Sequence, residues 1–169
     1  DTIISVPKQL TSSFFFPDGK MKWEEKDEKV LNIRRLFIYE AAYYAKIESL
    51  KPWEEREKCI PILMEQWEII KEKLEDLFKK RDTKAASSLM KEGIGLFIQF
   101  LHWANGKPVA LHPEISFPDL PIKPVNVEER LSFLLSRPNV YHSYVQLVQL
   151  MVELEKGYYK DLAKKKLSP

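Results

Sequence analysis

The chain has 169 residues, with 27 basic and 25 acidic side chains and a formal net charge of +2, a near balance that gives no support to a strongly nucleic-acid-directed surface. Its hydrophobic content of 44% is too high for a mostly disordered chain, and its only cysteine, Cys59, excludes an internal disulfide framework and leans toward a reducing compartment. Only 5 residues are glycine, which favours helices over a turn-rich β fold.

Residues 1–23 read as an irregular arm, broken by Pro7, Pro17 and the Asp18-Gly19 turn. Phe14, Phe15, Phe16 and Trp23 are too apolar for a free tail and are expected to dock on a helical body. No signal-like apolar segment follows a basic start, and the cytoplasmic location expected here rests on the single cysteine. Val30, Ile33, Phe37, Ala41, Tyr44 and Ile47 recur at helical steps and predict a first helix over 27–50, stopped by Pro52. Pro52 and Trp53 then open the next helical segment, and Pro61 marks a second start or a kink. From Ile60 the period is regular through Leu63, Trp67, Ile70, Leu74 and Leu77, predicting an amphipathic helix that ends near Arg81.

Asp82 or Thr83 can cap the following helix, which runs to about Ala104. Its stretch IGLFIQFLHWA, residues 94–104, is apolar on nearly every face, with Gln99 and His102 as the interruptions. A bilayer span needs about 20 apolar residues, so this run predicts the central helix of a bundle. Gly93 and Gly95 within it point to close approach of a neighbour, and Asn105-Gly106 suits a left-handed C-terminal cap. Residues 106–124 are proline-rich yet carry Val109, Leu111, Ile115, Phe117, Leu120 and Ile122, as expected of an extended connection laid across the bundle. Asn126 and Glu129 resemble a capping box before a short helix over 127–137, and a last helix follows over 139–165. The expectation is an all-α, single-domain helical bundle of about five main helices, with the arm at one end of the chain and the proline-rich crossover within it.

Motifs for chemistry are sparse. His102, His112 and His142 lie in three segments without metal-ligand spacing, so no metal site and no cofactor is expected. No nucleophile elbow, phosphate loop or paired-carboxylate spacing is present, and no catalytic residue is assigned. A small-ligand or enzyme pocket remains as an alternative, formed by His102, Trp103 and Asn105 at a helix end, roofed by the segment around His112 and completed by Glu65. A weak nucleic-acid reading rests on Arg34-Arg35, Lys79-Lys80-Arg81 and Lys164-Lys165-Lys166, but the first pair suits a solvent face beside the apolar stripe and the other two lie near helix C-termini, where cations are favoured anyway. The aromatics favour a protein partner instead, with Trp53, Phe15 and Phe117 as the candidate contact residues.

The segments PWEEREKCIPILMEQWEIIKEKL, residues 52–74, and GLFIQFLHWANGKPV, residues 95–109, resemble the YpoC family of Bacillus-type bacteria. The resemblance implies a bacterial cytosolic protein and carries no catalytic residue onto this chain. The combined expectation is a non-enzymatic interaction or adaptor protein, with no membrane partner, nucleic acid disfavoured and an undetermined oligomeric state.

Overall fold

A computed structural model describes residues 2–24 and 30–167. Among them lie five α-helices and one two-stranded sheet: β1 (Thr2–Ser5), β2 (Lys20–Trp23), α1 (Ile38–Tyr44), α2 (Arg56–Lys79), α3 (Thr83–Ala104), α4 (Val127–Ser136) and α5 (Tyr141–Leu167). The fold is largely all-α. α3 packs against both α2 and α5, and α4 packs on α5. Every residue of α3 from Gly93 to Ala104 is buried, which makes it the central helix that its apolar run implies.

The helix boundaries follow from local chemistry. Asp82 serves two helices at once. Its backbone N–H bonds the Leu77 carbonyl at 3.0 Å, closing α2, and its carboxylate accepts from Ala85 N–H at 3.2 Å, opening α3. At the far end of α3, Gly106 takes φ +70°, and Lys107 and Gly106 donate to the His102 and Trp103 carbonyls. This is the paired bonding of a Schellman cap. Gly93 is required by close approach, because a Cβ there would lie 3.0 Å from Leu147 of α5 and 3.1 Å from Trp67 of α2. Between α2 and α5, the Tyr144 hydroxyl donates to Glu75 at 2.7 Å, and between α4 and α5, Arg130 forks onto Glu153 and reaches Gln146.

Four expectations need correction. The helix expected over 27–50 is only the seven residues of α1; the part expected over 27–29 lies outside the described residues. Phe37 sits in the left-handed region at φ 62°, held there by its N–H donating to the buried Gln99 Oε1 at 2.8 Å, so turns rather than helix precede α1. Lys46, at φ 60°, ends α1 just as a glycine would. Pro61 begins no new helix: it lies on the exposed side of a continuous α2, preceded by a 3-10 turn at Pro52–Glu54. Asn126 is no capping box, because at φ 56° it is itself left-handed and its side chain makes no cap bond.

Finally, the arm is not wholly irregular. Its ends pair antiparallel, Thr2 opposite Trp23 and Ser5 opposite Lys20, with Gly19 at φ +68° in the return turn. Leu10, Phe15 and Trp23 of the arm are buried in the core, with Phe14 and Phe16 packed against it.

Candidate functional site

The polar residues near the end of α3 are anchors. His102 is buried, with its Nδ1–H directed at the Ile98 carbonyl one turn back, 2.8 Å away. Burial lowers its pKa to about 4, so the ring is neutral at physiological pH. Trp103 is buried beside it and donates its indole N–H to Glu40 Oε2 of α1 at 2.8 Å. The same carboxylate oxygen accepts from Val109 N–H at 3.1 Å, while the Val109 carbonyl accepts from the Tyr44 hydroxyl at 2.9 Å. α1 thus clamps the start of the crossover onto α3. Desolvation raises the Glu40 pKa to about 6, against the opposing pull of the Trp103 and Val109 donors.

Asn105 clips the other end of the crossover. Its amide group donates to the Leu101 and Ile122 carbonyls at 2.7 and 2.8 Å and accepts from Ile122 N–H at 2.8 Å. His112 and Glu65 are exposed, on the crossover and on α2. His142 packs its ring edge-on against Phe133. His102, Trp103 and Asn105 therefore meet at one helix end, where His102 Nδ1, the Trp103 indole N–H and the Asn105 amide are engaged with the protein itself.

A different place gathers open apolar surface. A cleft of about 1080 Å3 lies between residues 11–15 of the arm, residues 111–118 of the crossover and residues 128–135 of α4. Ile98 of α3 contributes to its lining, and Phe15, Leu111, Ile115, Phe117, Leu131 and Leu135 form its apolar walls. Its walls are rigidly tied. Leu111 N–H and His112 N–H both donate to Gln9 O, at 2.7 and 3.1 Å, stitching the crossover to the arm. Phe15 meets Phe14 and Phe37 edge-on, with ring centroids 4.8 and 4.9 Å apart. Ser12 accepts from Phe15 N–H, and Ser116 donates to Asp119. The polar lining is Thr11, Ser12, Ser13, Ser116 and Ser132, with Glu114 and Glu128 as its charged members.

Two smaller clefts, of about 600 and 470 Å3, are lined by Tyr43 with residues 46–55 and by Phe16, Met21, Arg34, Arg35 and Lys91 with their neighbours. None of His102, Trp103, Asn105, His112 and Glu65 lines any of these three clefts.

Of the expected contact residues, Phe15 and Phe117 both line the large cleft, although Phe15 is itself buried. Trp53 is only 4% exposed and meets Tyr43 edge-on, so it is a packing residue. Sequence reasoning did not single out Ile98, Leu131 and Leu135 as cleft residues. Helical periodicity marks such positions as apolar but does not tell a covered one from one beside an opening.

The basic groups are partly neutralised at close range. Lys80 pairs with Asp76 at 2.9 Å, Lys165 with Asp161 at 3.2 Å and Lys166 with Glu57 at 3.1 Å. Among the described residues no three His, Cys, Asp or Glu side chains gather as metal ligands, and no helix is long and apolar enough to cross a membrane.

Comparison with known proteins follows the same core. No solved structure matches the chain. A protein of Bacillus subtilis (strain 168), named "Uncharacterized protein YpoC", is 37% identical over 120 residues, covering 70% of this chain and 73% of that relative. The family model described as YpoC-like protein matches residues 57–166, which run from the first turn of α2 almost to the end of α5 and leave the arm and α1 outside. By the extent of both matches, the chain belongs to the YpoC-like protein family.

Proposed function

We propose that this chain is a non-enzymatic, cytoplasmic protein-interaction module that receives a segment of a partner protein in the cleft between arm, crossover and α4. The observation that supports this reading is the cleft itself, about 1080 Å3 of apolar-walled space built from three separate segments. The volume lies at the top of the small-ligand range of about 300–1,000 Å3, and what favours a protein segment is that the polar lining residues are exposed or half-buried at the rim instead of converging in the interior. The polar groups that sequence alone would offer to a small ligand, His102 and Trp103, are bonded within the core instead.

The test is affinity capture from the native cells with the full chain and with a Ser132→Trp variant, in the presence of nuclease and added salt. Ser132 is exposed on α4 and lines the cleft, so the indole fills the space while circular dichroism verifies the fold. A protein held by the parent chain and lost from the variant supports the reading. Equal capture by both chains removes the cleft from it, and capture abolished by nuclease turns the reading toward nucleic acid.

A further inference from the structure

The cleft's chemistry specifies more than its existence. Among its lining residues the charged side chains are Glu114 and Glu128, one on the crossover and one on the first turn of α4, and both are exposed. Each stands beside apolar wall residues, Glu114 next to Ile115 and Glu128 one helical turn before Leu131. Carboxylates at a rim steer and orient a ligand of opposite charge more than they hold it, and they penalise a ligand of like charge. The hydroxyls of Ser13 and Ser132 supply donors and acceptors on the same lining, and Thr11, which gives its own proton to the Lys8 carbonyl at 2.8 Å, adds an acceptor, a set that suits the backbone of a peptide. The chain as a whole carries a formal charge of +2, so an attraction for cations here is local and runs against its net charge.

We propose that the occupant is a short peptide segment of another protein in which hydrophobic side chains are flanked by lysine or arginine, the apolar groups entering between Phe117, Ile115 and Leu135 and the cations meeting Glu114 and Glu128. This rests on the interaction reading above and adds the partner's chemistry to it. It also assigns Glu114 and Glu128 the role of selecting among apolar segments.

The experiment is selection from a random dodecapeptide display library on the full-length protein, with the Ser132→Trp variant as counter-target. Recovered peptides are then measured by fluorescence anisotropy against the parent chain and an E114K/E128K variant. Both glutamates are exposed, so the double substitution leaves the core intact, and circular dichroism checks this directly.

The expected result is enrichment of peptides with two or more apolar residues beside Lys or Arg, binding about tenfold more weakly to E114K/E128K and less tightly as salt is raised. Enrichment of neutral or acidic peptides that still discriminate against Ser132→Trp overturns the charge assignment and leaves the interaction reading standing. The same holds for basic peptides indifferent to E114K/E128K. Failure of any peptide to prefer the parent chain over Ser132→Trp overturns both.

Discussion

The C-terminal end of α3 and the cleft beside α4 handle polarity in opposite ways. At the helix end, Glu40, His102 and Trp103 are polar groups taken out of water, with Glu40 Oε2, His102 Nδ1 and the Trp103 indole N–H bonded inside the protein while Glu40 Oε1 is buried without a partner. At the cleft, Phe117, Ile115 and Leu135 are apolar groups that still line open space. The first arrangement locks the crossover to α1 and α3. The second leaves unused the commodity that drives association. A histidine and a tryptophan in an apolar run thus mark a latch here, and the hydrophobic surface left uncovered lies elsewhere, along the cleft.

The sharpest way to break this contrast is to remove the latch. Trp103→Ala should cost about 3–5 kcal/mol, because it opens a cavity in the core and takes a donor from Glu40. Trp103→Phe keeps the ring volume nearer to native and should cost about 1–3 kcal/mol, the cost of leaving a buried acceptor short. Urea unfolding separates the two variants. A Phe variant as stable as the parent would show that the indole bond holds nothing in place.

Acidity probes the same latch through two groups of opposite sign. His102 has its pKa lowered to about 4, so the unfolded chain takes up its proton first, and the stability it contributes above pH 6.5 is lost as pH falls toward 4, about 3 kcal/mol in all. Glu40 has its pKa raised to about 6, so its contribution is full below pH 4.5 and is lost as pH rises through 6, about 2 kcal/mol. Between these limits the two slopes oppose each other. Glu40→Gln removes the counterweight, and stability should then fall more steeply on acidification between pH 6 and 4.5, by up to about 1.4 kcal/mol per pH unit. Urea midpoints at half-unit steps of pH read this slope; parallel curves for variant and parent would place the titration elsewhere.

Two helical glycines sharpen the packing side of the comparison. Gly93→Ala pushes a methyl to 3.0 Å from Leu147 and 3.1 Å from Trp67, both buried, and should cost about 1 kcal/mol despite the gain in helix propensity. Gly157→Ala meets only Ile122 at an ordinary 3.6 Å and should stabilise the protein by about 0.5–1 kcal/mol. Thermal denaturation of the pair tests the sign of each. The smallest expected effect is at the cleft: Ser132→Trp should change stability by no more than about 0.5 kcal/mol while altering binding, since its site is exposed.

What could be read in the sequence depended on whether the signal was local. α3 was legible end to end, because Asp82 and Asn105-Gly106 bracket a run whose composition already demands burial. α2 and α5 declared themselves by period. α1 misled, because its apolar spacing continues through residues that are not helical. Phe37 is turned left-handed by Gln99, 62 residues away, and no neighbour in sequence announces that bond. Asn126 likewise spells a capping box while adopting a left-handed backbone. The cleft was legible only in fragments. Phe15 and Phe117 could be singled out as aromatics beyond the bundle, but the opening exists only where arm, crossover and α4 come together.

The clip made by Asn105 has a consequence for how such a protein can diversify. By bonding both the N–H and the carbonyl of Ile122, it pins the return of the crossover to the residue that caps α3. The chain between them is a closed loop with fixed feet, and lengthening a closed loop costs little, about 0.6 kcal/mol per doubling. Insertions and replacements within that loop can therefore redraw one wall of the cleft while the helices beneath keep their places, so the shape of that surface can change without redesigning the scaffold.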